Sequence, residues 1–184
     1  MNYHLWLLFG WLVFETVWDL RSHNLPVRFS LVMLLPALAL TFVLSPTVAL
    51  LVLFSAAATE IRGRQWRRAA VLLVAALIPI VDGRYLPLSV GWLLLAFAWE
   101  AGWLGGADSL AGLSLLTFYP EWKMLLAIAI GVLAWGLLVL LLRYGRQTGL
   151  RLWTVVSARA KGTAAAGMPA FVLAMAVFLA WRIP

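Results

Sequence analysis

The sequence predicts an all-α, polytopic integral membrane bundle, and three observations predict it. Of the 184 residues, 65% are hydrophobic and only 11% charged, too few polar side chains to cover a water-soluble domain of this size. Apolar runs long enough, or nearly so, to cross a bilayer recur along the whole chain between charges and Pro or Gly breaks. The basic residues gather on one side of the bundle those runs would form.

The runs fall at 3–18, 27–44, 46–61, 68–82, 87–104, 109–120, 122–142 and 163–181. The first contains LWLLFGWLVF, without a basic start or a small-x-small cleavage site after it, and reads as a retained first helix rather than a secretory signal. Several runs are shorter than the ~20 residues of a perpendicular span. The shortest, 109–120, suits a helix packed inside the bundle. Eight crossings are expected and six remain open; losing one hairpin leaves the sidedness of the rest unchanged. With no internal repeat or polar linker, residues 1–184 read as one membrane domain.

Loop charge sets the orientation. With the N-terminus outside, the cytoplasmic loops hold Arg21, Arg28, Arg62, Arg64, Arg67, Arg68, Arg143, Arg146, Arg151, Arg159 and Lys161. The outer side keeps Arg84, Lys123 and Arg182. That asymmetry predicts both termini outside, in a multi-pass protein of the plasma membrane. The net charge of +7 then reflects basic loops facing anionic headgroups, with no nucleic acid partner implied. Most of the 11 tryptophans lie near segment ends, as interfacial anchors do.

Composition also bounds the chemistry. The chain has no cysteine, so a disulfide framework, a zinc ribbon and a thiol nucleophile are excluded. Two histidines and no cluster of ligands argue against a bound metal, and nothing calls for a cofactor.

Seven acids are left to consider. Asp82 in VDGRYLP and Glu121 in YPEWK belong to turns on the outer side and read as solvated. Glu60 precedes IRGRQWRR and is expected to pair with those arginines. Glu15, Asp19, Glu100 and Asp108 lie within or beside apolar segments, where a charge is costly and marks function by default. Asp19 ends the first segment and Asp108 lies between the fifth and sixth, so the topology brings both to the cytoplasmic side. Glu15 shares a helical face with Asp19, as a structural partner or a rival acid.

Two carboxylates in a partly hydrated, low-dielectric site suit peptide hydrolysis. Like charge and desolvation leave such a pair holding one shared proton. The ionised member can deprotonate water while the protonated one donates to the peptide carbonyl. Gly105 and Gly106 would let a substrate strand approach closely. Asp19 paired with Arg21, and Gly-Gly as a mere packing element, are the structural alternatives.

The flanking residues carry a resemblance. WDLRSHNLPVRFS, residues 18–30, looks like the first aspartate motif of type IV prepilin peptidases and archaeal preflagellin peptidases, with Asp19, Arg21, Leu25 and Pro26 matching in turn. EAGWLGGADSLAGLSLLTFYP, residues 100–120, resembles the second, G-x-G-D motif through Gly105, Gly106, Ala107 and Asp108. GMPAFVLA, residues 167–174, is similar to the Pro-containing start of the family's last helix. Three departures stand out: Ala107 replaces a glycine, Leu110 stands where the family often has lysine, and the interval between the aspartates is about one hairpin longer.

The resemblance implies an intramembrane aspartic endopeptidase with Asp19 and Asp108 as its catalytic pair. Gly105, Gly106, Ala107, Arg21 and Pro26 would shape the site, whereas His23 reads as an ordinary loop residue. The implied partner is a pilin-like or archaellin-like precursor with a basic leader and a hydrophobic helix, cut at the cytoplasmic face. A small proton-coupled transporter or channel, and an inactive relative that only binds pilin-like helices, are the competing readings.

Overall fold

The computed structural model describes residues 3–22, 27–59, 61, 63–144 and 167–182. Among them the fold is all α, with eight α-helices and no strand. They are α1 (Tyr3–Ser22), α2 (Val27–Leu44), α3 (Pro46–Ala58), α4 (Arg64–Val81), α5 (Leu86–Glu100), α6 (Gly106–Phe118), α7 (Trp122–Tyr144) and α8 (Met168–Arg182). A 3-10 turn, Gly83–Tyr85, joins α4 to α5. The eight apolar runs of the sequence correspond to these helices one for one.

Breaks between helices follow local chemistry. Pro46 opens α3, where its missing N–H is no loss, and it turns Ser45 away from helix. After α4, Asp82 accepts the backbone N–H of Arg84 at 3.0 Å and closes the 3-10 turn. Helix α4 starts at Arg64, before the apolar run at 68, because the arginine-rich turn is itself helical.

The stop between α5 and α6 differs from the expectation. The fifth run extends to 104 in the sequence, yet the helix ends at Glu100. Gly102 adopts φ 72°, which a side chain resists. The Trp103 N–H donates to the Ala98 carbonyl at 2.8 Å and the Gly102 N–H to that of Trp99 at 2.9 Å. This is a Schellman cap. The break in the apolar run therefore comes from Gly102 and not from the glycine pair that follows.

Helix α6 sits at the centre. Every residue from Ser109 to Thr117 is buried, and α2, α5, α7 and α8 surround it. Its hydroxyls turn inward onto its own backbone, Ser114 to the Leu110 carbonyl at 2.8 Å and Thr117 to that of Leu113 at 2.7 Å. Small residues set the closest crossings. A Cβ on Gly131 of α7 would lie 2.2 Å from the Ala170 carbonyl oxygen, so α8 crosses there backbone to backbone. Helix α1 lies against the outside of α8.

Among the described residues, one helix is both long and apolar enough to cross a membrane, α7 over Trp122–Val139 with mean hydropathy 2.1. Shorter apolar helices run over Ser30–Leu44, Pro46–Ala58 and Met168–Arg182.

Candidate functional site

The site forms where the C-terminal end of α1 meets the N-terminal ends of α6 and α8. Asp108 is the third residue of α6, and its Oδ2 accepts the N–H of Gly105, the N-cap, at 3.0 Å. That is the return half of a capping box, with a glycine in place of the capping side chain. Ser109 Oγ donates to the Gly105 carbonyl at 3.0 Å and tightens the same turn.

Gly105 has φ −74° and ψ 162°, a conformation open to any residue, so backbone freedom is not its use here. A Cβ on it would stand 3.1 Å from Asp108 Oδ2. The glycine makes room for the carboxylate. Gly106 is half-buried beneath Trp99, whose Nε1 lies 3.7 Å from where a Cβ would be. Ala107 is buried.

Asp19 projects from the last turns of α1 and is buried. Its Oδ2 accepts the backbone N–H of Met168 at 3.4 Å. One residue earlier, Gly167 presses against Asp108. A Cβ there would fall 2.2 Å from Oδ2, 2.5 Å from Cγ and 2.8 Å from Oδ1. Both aspartates thus converge on two consecutive residues at the start of α8. The N-terminal end of that helix, with its partial positive charge, faces them.

Glu15 completes the group from one turn earlier on α1. It is fully buried, its Oε1 accepts Ser30 Oγ at 3.5 Å, and the charges of both Asp108 and Asp19 act on it. Three carboxylates therefore share one region of the bundle.

The other expected residues fall differently. Arg21 is exposed, and among the described residues no ion pair joins it to Asp19. Pro26, with His23 and Leu25, lies outside the described residues. Leu110 is 2% exposed and belongs to the core. Asp82 pairs with Arg84 and Glu121 with Arg182, both in turns as expected.

Glu100 turns out to be the acid that the arginines hold. Arg64 Nε donates to its Oε2 at 2.8 Å, Arg67 Nε to its Oε1 at 2.8 Å, and Arg68 Nε to its Oε2 at 3.2 Å. The expected partner, Glu60, is outside the described residues. In the sequence Gly167 and Met168 read only as the start of the last helix, not as site residues. Gly followed by a Pro-led helix was the signal available.

Among the described residues no group of three or more His, Cys, Asp or Glu side chains is arranged to hold a metal ion. No protein-family model, curated protein or solved structure matches the chain.

Proposed function

We propose that the chain is a polytopic membrane aspartic endopeptidase of the prepilin-peptidase type. It removes the leader from a pilin-like or archaellin-like precursor at the cytoplasmic face of the plasma membrane. The observation that carries this reading is the convergence of Asp19 and Asp108, from distant parts of the chain, on Gly167 and Met168. The two aspartate motifs of the sequence supply the substrate class.

Membrane embedding is supported by what the helices present outward. Val43 is 80% exposed, Ile80 77%, Leu7 76% and Leu133 72%, on four different helices. Water-soluble monomers rarely carry apolar surface on this scale. The charged groups with defined partners cluster at helix ends and turns, as interfacial residues do.

The mechanism uses one carboxylate of the pair in its ionised form and the other in its protonated form. The ionised carboxylate takes a proton from water as that water attacks the scissile carbonyl. The protonated carboxyl donates to the carbonyl oxygen, and the resulting tetrahedral species breaks its C–N bond as the leaving nitrogen is protonated. The Gly105 N–H and the Met168 N–H fix the orientation of one carboxylate each.

Leader removal from a co-expressed pilin-like precursor tests the reading. Wild type cleaves it, and Asp19→Asn and Asp108→Asn each abolish cleavage while leaving membrane insertion intact. Unchanged processing in either variant overturns the pair mechanism.

Glu15 favours one second reading, a small proton-coupled transporter, because a third carboxylate extends the acid group deeper along α1. Proton uptake into reconstituted vesicles, coupled to a solute and lost in Glu15→Gln, would identify it; the peptidase carries no proton across the membrane.

A further inference from the structure

We propose that the cleft between α4 and α5 binds one anionic phospholipid. Arg64 and Arg68 hold its phosphate, and an acyl chain lies along Leu72, Leu93 and Phe97. The inference rests on the membrane reading above but not on the peptidase chemistry.

The cleft has a volume of about 290 Å³. Its walls are almost wholly apolar, and its charged lining is confined to Arg67, Arg68 and Glu100 at one end. That size is near the lower limit of ligand pockets and fits part of one chain rather than a whole lipid. Phe97 and Leu72 are exposed beside it, so the apolar track continues onto the outer surface.

Among the described residues three guanidiniums surround one carboxylate, an excess of two positive charges. The three do not have equal roles. Arg67 stacks its guanidinium 4.7 Å above the Trp99 ring, and it binds Glu100 through two nitrogens and the Ile61 carbonyl through a third. It is part of the scaffold. Arg64 and Arg68 keep side chains 62% and 52% exposed. They are the cations able to meet a phosphate.

A free phosphate or nucleotide would leave the apolar walls wet, and a neutral lipid would leave the charge excess unmet. A zwitterionic choline headgroup brings its own cation to the arginines. An anionic phospholipid satisfies both halves of the site, and each basic residue near such a headgroup is worth about fivefold in affinity.

The test uses the full chain in detergent micelles, titrated with phosphatidylglycerol or phosphatidylcholine and read by native mass spectrometry. Wild type is expected to retain one phosphatidylglycerol with roughly twenty-fivefold preference over phosphatidylcholine, about fivefold for each of the two arginines. The Arg64→Gln/Arg68→Gln double variant loses the preference. Leu72→Trp, which fills the cleft from an exposed position, loses retention of both lipids. Millimolar inorganic phosphate does not displace the lipid.

Equal retention of the two lipids by wild type overturns the proposal, as does unaltered binding in either variant. Displacement by phosphate would make it an anion site instead. Carbonate extraction of native membranes separates the failures: a protein released by carbonate overturns the membrane reading itself, while one that stays and shows no lipid preference overturns this inference alone.

Discussion

Gly167 is packed so closely on Asp108 that no side chain fits between them. A Cβ would stand 2.2 Å from Oδ2, closer than real contacts allow. The contact comes from the carboxylate of a short, capped helix and the first turn of α8, so the carboxylate must move if the glycine grows. Gly167→Ala is therefore expected to lower leader cleavage on the order of a hundredfold, the usual scale for an ångström of misplacement. Thermal unfolding in detergent should change little. Gly105→Ala, at 3.1 Å from the same oxygen, asks for a shift of only tenths of an ångström and should cost much less. Equal rates in Gly167→Ala and wild type would show that the carboxylate position is not critical.

Leu110 bears on whether a lysine is missing from the site. Its side chain is 2% exposed in the core of α6. A lysine there would bury an ammonium without a partner, at a cost of several kcal/mol. Leu110→Lys is expected to reduce the yield of folded protein and to leave cleavage no faster. Leu110→Met conserves volume and should cost less than about 1.5 kcal/mol. Faster cleavage by Leu110→Lys would mean that this end of α6 opens to water when substrate binds.

Glu15 tests the boundary between structure and catalysis. It is fully buried, its hydrogen bond from Ser30 is long, and two further acids act on it. Glutamine keeps the shape and removes the charge. Glu15→Gln is expected to retain cleavage within a few-fold of wild type and to raise the unfolding temperature, by an amount equivalent to about 1 kcal/mol. Loss of cleavage with unaltered stability would transfer one catalytic role from Asp19 to Glu15.

The number and order of helices were legible in the sequence because apolar runs and Pro or Gly breaks are local signals. Helix ends were less so. The fifth run continues apolar through Trp103 and Leu104, and hydropathy does not register that Gly102 takes the left-handed conformation and stops α5 at Glu100. Asp19 and Asp108 stand out in the sequence because acids within or beside apolar runs are rare. Their meeting point does not. Gly167 and Met168 lie at the start of α8, which crosses α7 closely at Gly131, a long-range packing that no local pattern of residues announces. The partners of Glu100 are not legible for the same kind of reason: the arginines that hold it lie more than thirty residues earlier, while Glu60 is their neighbour in sequence.

The Asp82–Arg84 turn should give a small acid dependence of stability. The Arg84 side-chain and backbone hydrogen bonds hold the Asp82 carboxyl below its ordinary value of 3.8. Because the folded value is depressed, the contribution is complete above the unfolded value and lost as pH falls through the folded one. Unfolding temperatures measured downward from pH 6 should decline below about pH 4, and Asp82→Asn should decline less. An exposed pair of this kind contributes little, so the difference between the two curves is the quantity to measure.

Gly131 links packing in the bundle to the chemistry at its end. A Cβ there would meet the Ala170 carbonyl oxygen at 2.2 Å and the Ala174 nitrogen at 2.8 Å. Both are backbone atoms of α8, which cannot rotate aside as a side chain can. Gly131→Ala must therefore separate the two helices, at a cost of about 1–3 kcal/mol. Since α8 carries Gly167 and Met168 to the aspartates, the same separation loosens the site. Cleavage is expected to fall with the unfolding temperature in Gly131→Ala. In Gly10→Ala, where a Cβ would meet nothing within 4 Å, neither should change. A Gly131 variant with lowered stability and normal cleavage would show that the start of α8 is positioned independently of its crossing with α7.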